Sequence, residues 1–275
     1  MKKLGIPGKT LDELIIRDCL CAVGTLDSAP DTKGLYFVVG GVGVQSYLPT
    51  SCRRPTSDLD LAILEPLNYE DFKQFSKRVR EYLQDSGYEV GYRKNSRAFS
   101  LEVTDKDGSC LIEFARNSEE SYEKKQKRLE RERQHARKKI VEGEDVTYVV
   151  SAPEDIVVPK LARSVNSFRR NPLFERDVSQ KQKFSDEEVQ RQLRKINELK
   201  KNAIYNLGDV LVAEELRFAS DLYDIRLLSE LTGFNEKYLV EAAGDWNSLN
   251  KDSNERNLLI RSVLPDLIME EKLIS

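Results

Sequence analysis

Soft metal ligands are scarce in this chain: His135 is its one histidine, and none of its four cysteines, Cys19, Cys21, Cys52 and Cys110, stands in a C-x-x-C spacing. So few imidazoles and thiolates rule out a zinc site, and the cysteines read as reduced small hydrophobes or partly exposed thiols. Long apolar runs are also missing. The longest, residues 35–44, holds three glycines and falls well short of the ~20 residues that cross a bilayer. Met1-Lys2-Lys3 leads into the polar Gly5-Ile6-Pro7-Gly8-Lys9, so neither a signal peptide nor a membrane partner is expected, and a cytoplasmic location is. Positive charge is not in excess either. With 44 Lys and Arg against 47 Asp and Glu, a net charge of −3 excludes a uniformly basic nucleic-acid coat and confines any basic site to a local patch.

What is present is core material under a heavily charged surface: 275 residues, 39% hydrophobic and 33% charged. That length buries a sizeable core without staples. Leu11, Leu14, Ile15 and Cys19 have helical spacing behind Thr10, with Glu13 completing a capping pattern. Residues 35–39 (Leu-Tyr-Phe-Val-Val) read as a strand buried on both faces, ending in Gly40-Gly41-Val42-Gly43 and a helix start at residues 44–48. A second strand covers residues 58–64, a helix residues 69–84 with a stop at Ser86-Gly87, and three more strands residues 88–93, 98–104 and 110–115. Asp105-Lys106-Asp107-Gly108 joins the last two as a hairpin turn. Residues 146–150 return one more strand, and later segments (156–165, 186–205, 210–231 and 254–271) have helical patterns. The fold class expected is α/β, with a mixed-sheet domain over residues 1–150 followed by a helical domain over residues 151–275.

An acid-x-acid pair is weak evidence alone, because the acid frequency 47/275 predicts roughly eight by chance. Asp58 and Asp60 stand out by context: a glycine-dense turn after one apolar strand, then Arg54-Pro55-Thr56-Ser57-Asp58-Leu59-Asp60-Leu61 opening the next. Side chains two apart on a strand share a face ~6.5 Å apart, which lets both carboxylates reach one or two hard cations, Mg²⁺ above all. Glu113, in Leu111-Ile112-Glu113-Phe114, supplies a third acid at an alternate position. Three such acids either share a cation or point to solvent. A nucleoside triphosphate can approach a negative pocket when divalent ions bridge it, and Gly40, Gly41 and Gly43 leave backbone N–H groups bare for phosphate oxygens. The spacing fits neither G-x-G-x-x-G nor the P-loop pattern.

Val39-Gly40-Gly41 followed by the Arg54-to-Leu61 motif resembles the nucleotidyltransferase superfamily. Ala152-Pro153-Glu154-Asp155-Ile156 with Lys160-Leu161, and Ser220-Asp221-Leu222-Tyr223-Asp224-Ile225, are similar to its AbiEii/AbiGii-type toxin branch. The resemblance spans residues 35–225. It implies a nucleotidyltransferase-like core and a transferase moving a nucleoside monophosphate from an NTP co-substrate to an acceptor hydroxyl with two Mg²⁺ ions. By resemblance, Asp58, Asp60 and Glu113 ligate metal, Glu113 is also a candidate general base, Lys160 contacts phosphates, and Asp221 supports the site. Gly40, Gly41, Ser46, Thr56 and Ser57 would line the nucleotide. RNA such as tRNA is the implied acceptor and a cognate antitoxin the implied partner. A small hydroxylated acceptor such as an antibiotic, or an inactive nucleotide-binding module, remain the alternatives. Three positions depart from the family pattern: Val42 stands where a Ser is usual, so that the hydroxyl contact is either missing or supplied by Ser46; Pro159 precedes Lys160; and Ser220 stands where a basic residue is usual before Asp221, with Arg217, four positions before Asp221, as a candidate substitute.

Residues 124–139 carry nine basic side chains against Glu130 and Glu132. This segment is either a solvated helix or arm, or a polyanion contact suited to an RNA acceptor, as are Arg169, Arg170 and the run at residues 191–201. Bland readings stand beside the others: Lys160 and Asp224 as surface charges, Asp221 with Arg217 as an i,i+4 pair, and Phe72, Phe75 and Tyr82 as core.

Overall fold

Apolar and acidic residues alternate in Asp-Leu-Asp-Leu-Ala-Ile, and the segment forms a strand whose Leu59, Leu61 and Ile63 are buried while Asp58, Asp60 and Ala62 are half-buried. It is β2 (Asp58–Ile63) of a seven-stranded mixed sheet, ordered β3-β4-β5-β2-β1-β7-β6. The others are β1 (Tyr36–Val39), β3 (Glu89–Lys94), β4 (Ala98–Thr104), β5 (Ser109–Ala115), β6 (Arg137–Ile140) and β7 (Thr147–Val150). β2 runs antiparallel to β1 and parallel to β5, and β1 parallel to β7; the pairs β3–β4, β4–β5 and β6–β7 are antiparallel. This computed structural model describes residues 13–56, 58–96, 98–106, 109–171, 174, 185–205 and 209–264. Thr10, Leu11, Ser57, Asp107 and Gly108 lie outside them.

The chain divides into two compact units. Residues 13–46 and 55–152 form the sheet unit; residues 47–54 and those from 153 onward form a helical unit. In the sheet unit, the face opposite the acids buries Cys110, Ile112 and Phe114 beside the leucines of β2. Phe72 of α3 (Tyr69–Phe75) fills it, 5.3 Å from Phe99 and 5.2 Å from Phe114 between ring centroids. The expected helix over residues 69–84 is two, α3 and α4 (Lys77–Asp85), broken at Ser76, whose hydroxyl bonds back to the Phe72 carbonyl at 2.7 Å. Gly87 (φ 91°) ends the pair, where only glycine is unstrained. Phe75 is half-buried and Tyr82 exposed, so Phe72 alone of that stripe is full core.

α1 (Glu13–Gly24) contacts α4, β5 and β7. α2 (Gly40–Gln45) starts at the first glycine, earlier than the apolar pattern predicts. The polar segment after β5 is ordered: α5 (Glu119–His135), capped by Ser118, and then the edge strand β6. Leu129 and Tyr122 of α5 pack on Phe37, Leu64, Val39, Ala62 and Val149, on the sheet face that carries the acids. Cys19, Cys21 and Cys110 are buried free thiols, and Cys52 is partly exposed.

The helical unit is built around α6 (Pro153–Arg170), which runs on through Pro159 and extends beyond the expected residues 156–165. Against it pack α8 (Val210–Thr232), α9 (Glu236–Ala243), α10 (Asn247–Asn250) and α11 (Asn254–Val263), with α7 (Asp186–Tyr205) on α8. No described helix is long and apolar enough to cross a membrane. Replacing the fully buried ring, Phe72→Ala, is expected to cost about 3–5 kcal/mol in a urea-unfolding series, and Phe72→Leu less than half as much.

Candidate functional site

Strand register assembles the acidic group. In the parallel β2–β5 pair Asp60 lies opposite Glu113 and Asp58 opposite Leu111, so all three acids share one sheet face. Each of Asp58, Asp60 and Glu113 offers a carboxylate oxygen, and these oxygens all lie within 4.8 Å of one another. All three residues are half-buried. Thr56 is buried and its hydroxyl donates to Asp58 Oδ1 at 3.1 Å, fixing that carboxylate.

On the other side of β2, Asp60 faces Val39, the last residue of β1, and the next residue is Gly40 at φ 66°. A Cβ built on Gly40 would lie 2.0 Å from Asp60 Oδ2. Any side chain there would displace the carboxylate and strain the backbone, so the glycine is required by close approach and by φ alike. Gly41 follows in α2 and is half-buried. Ser46 closes α2 with its one hydroxyl proton donated to the Val42 carbonyl at 2.9 Å, while its oxygen accepts from Tyr148 at 2.8 Å. Ser57 lies outside the described residues.

Burial, and then the charge of Asp58, push the Glu113 carboxyl above its ordinary value. Three close oxygen donors and a carboxylate already disfavoured as an anion suit a hard divalent cation, which takes oxygen ligands; nothing in the set suits a soft metal.

The other predicted residues lie in the helical unit. Lys160, 5% exposed, donates to Asp221 Oδ1 at 3.2 Å and sits 2.9 Å from Asp224 Oδ2. Arg163 holds Asp221 with two bonds of 2.7 Å, and Arg54 holds Asp224 at 2.8 and 2.7 Å. Asp221 and Asp224 are 2% and 0% exposed, so Asp224 is a buried anion rather than a surface charge. Asp221 is met by Arg163 from α6, whereas Arg217 is exposed. Tyr223 adds a hydroxyl bond to the Cys52 carbonyl at 2.7 Å, so that residues 52–54 are stitched to α8. Sequence reasoning missed Arg54, Arg163 and Tyr223. The available signals were Arg54 within its own motif and Arg163 one helical turn after Lys160.

No protein-family model matches the chain, and no curated protein matches it. Among solved structures it is similar to an antigenic nucleotidyltransferase-like protein from Paracoccidioides brasiliensis, at 13% sequence identity over 94% of this chain and 92% of that one, with a TM-score of 0.41.

Two pH responses of opposite sign follow. With its carboxyl raised, folded Glu113 binds a proton more readily than the unfolded chain does, so its contribution to stability falls as pH rises through that window. Without metal, Glu113→Gln is therefore expected to raise the thermal midpoint at pH 7 but not at pH 4, and to remove any further rise on adding Mn²⁺; a variant less stable at pH 7 in chelator would contradict this. For Asp224, burial pushes the carboxyl up, but Arg54 and Lys160 outweigh it and hold it below its ordinary value. Its contribution is present above the usual carboxylate range and is lost as pH falls below it. Asp224→Asn, which leaves Arg54 and Lys160 underpaired, is expected to cost about 3–5 kcal/mol at pH 7 and much less near pH 3, read by urea midpoints.

Proposed function

We propose that this protein is a metal-dependent nucleotidyltransferase that moves a nucleoside monophosphate from an NTP to an acceptor hydroxyl. The observation that carries the reading is the convergence of Asp58, Asp60 and Glu113 oxygens within 4.8 Å, beside a glycine that no side chain can replace. The resemblance of the Gly-Gly and Asp-x-Asp motifs to the nucleotidyltransferase superfamily supports it. Asp58, Asp60 and Glu113 would hold Mg²⁺, with two ions as the expected number. Bound there, Mg²⁺ supplies the positive charge that lets a triphosphate enter an acidic pocket and stabilises charge on the leaving group.

The chain's own groups then do the following. Thr56 keeps Asp58 in one rotamer, and Gly40 with Gly41 exposes backbone to the phosphates at close range. Glu113, the candidate general base by the same resemblance, would accept the proton of the attacking hydroxyl. The acceptor oxygen forms a bond to the α-phosphorus, the bond from that phosphorus to the β-bridging oxygen breaks, and pyrophosphate leaves. In the helical unit Lys160 and Asp221 belong to an ion cluster; a phosphate contact by Lys160 would draw on an ammonium already engaged by two carboxylates.

The finer reading is an RNA acceptor, tRNA included, in a toxin restrained by a cognate antitoxin, with ATP among the candidate nucleotides. It extends the AbiEii/AbiGii-type resemblance. The test is incubation with each α-labelled NTP, total RNA and Mg²⁺. Wild type is expected to label RNA. Asp60→Asn and Gly40→Ala, both folded by circular dichroism, are expected to lose at least 100-fold in rate, and chelation to abolish transfer. Label on a small hydroxylated compound instead would shift the acceptor class. Undiminished transfer by Asp60→Asn would overturn the reading.

A further inference from the structure

Charge in this chain is unevenly placed. Residues 124–139 carry nine Lys and Arg against two Glu, +7 with His135 neutral, so the remainder of a chain of net −3 carries −10. Six of the nine cations are on α5, whose five Glu leave that helix at +1, and the other three are on β6; α5 is ordered and lies on the acid-bearing side of the sheet. Lys124, Lys127, Arg128 and Arg131 fall at i, i+3, i+4 and i+7, one stripe of about 10 Å on a helix. Lys124 and Lys127 are exposed, and Arg128 and Arg131 half-buried. The next strand carries a further exposed cation. Lys138 of β6 lies opposite Val149, which belongs to the cluster under α5, so Lys138 stands on that same sheet face, exposed at the edge.

Burial and then Arg128 lower the Lys125 amine, and burial and then Arg137 lower that of Lys139. Like charges held this close are unfavourable, and a row of phosphates relieves the repulsion. Within the stripe, Lys124 pairs with Glu120 at 2.6 Å and Arg128 with Glu132 at 3.4 Å, i,i+4 pairs weak enough for phosphates to displace; elsewhere Arg169 pairs with Glu255, Arg170 with Glu214 and Arg191 with Glu188.

We infer that the stripe of α5, together with Lys138 of β6, is a docking surface for the phosphate backbone of an RNA whose end is presented to the acidic face of the sheet. The inference rests on the RNA-acceptor form of the proposed function and adds where the strand lies. Regular helical spacing of cations with no aromatic platform among them predicts tolerance of sequence and dependence on salt.

The experiment measures anisotropy of a fluorescein-labelled single-stranded RNA 20-mer of mixed sequence, in EDTA and without nucleotide, so that binding is read apart from transfer. The triple variant Lys124→Glu, Lys127→Glu, Lys138→Glu changes only exposed side chains; circular dichroism and thermal midpoint verify its fold. The expected result is at least a tenfold weaker Kd in 0.1 M salt, with the slope of log K against log salt shallower by about 2, since each phosphate neutralised contributes about 0.7. Lys77→Glu, on exposed α4, and Asp60→Asn are expected to bind RNA as wild type does. The inference is overturned if the triple variant binds RNA within twofold of wild type, or if Lys77→Glu weakens binding equally. It is also overturned if a poly-glutamate peptide of equal charge binds as tightly as the RNA, which would make the surface one for an acidic protein. Loss of transfer in Asp60→Asn with RNA binding intact separates a failure here from a failure of the transferase reading.

Discussion

Mutual repulsion among three carboxylates is the constraint around which the sheet unit is arranged. At the 4.8 Å that bounds their oxygens, each like-charged pair costs roughly 1 kcal/mol in a water-like medium and about 3 kcal/mol in a protein-like one. Among the described residues, several contacts hold the acids close together. The parallel β2–β5 register fixes Asp60 beside Glu113, Thr56 fixes Asp58, and the bare Cα of Gly40 lets Asp60 sit where a methyl group would exclude it. The carboxyl of Glu113 is raised by its burial first and by the charge of Asp58 second. A fold that maintains such a cost in its free form gains it back when a hard cation binds, and this links the backbone geometry to the proposed chemistry.

The helical unit treats buried charge in the opposite way. Asp221 and Asp224 are deeper than any of the three acids, yet Arg54, Lys160 and Arg163 surround them with short, partly bidentate bonds. There the anion is favoured, and removing one partner leaves a buried charge unmatched. The two acid-rich neighbourhoods thus differ: Asp221 and Asp224 are bonded to basic side chains, whereas Asp58, Asp60 and Glu113 form the proposed cation site. Lys160, which the family resemblance implies as a phosphate contact, is bonded in this structure to Asp221 and Asp224.

Much of this was legible in the amino-acid order, and for identifiable reasons. β4 and α7 have the bounds that their patterns indicate, because alternation and helical periodicity are local. The three acids were found because Asp58 and Asp60 interrupt an apolar strand in step and Glu113 does the same on another; only register, which is not local, could show that they meet. β6 was not foreseen, since Arg-Lys-Lys-Ile has no alternation and an edge strand needs none. The early start of α2 was hidden by its glycines, poor helix formers, of which Gly40 is required by the approach of Asp60. Arg54 and Arg163 were invisible as partners because ion pairs across 170 and 58 residues leave no trace in spacing.

The central claim, that Asp58, Asp60 and Glu113 form a hard-cation site, is tested most directly by crystals grown with millimolar Mn²⁺ and measured for anomalous scattering. The account predicts a peak within coordination distance of all three carboxylates, absent from Asp60→Asn crystals under the same conditions. A well-ordered triad with no peak, or with the metal held elsewhere, would contradict it.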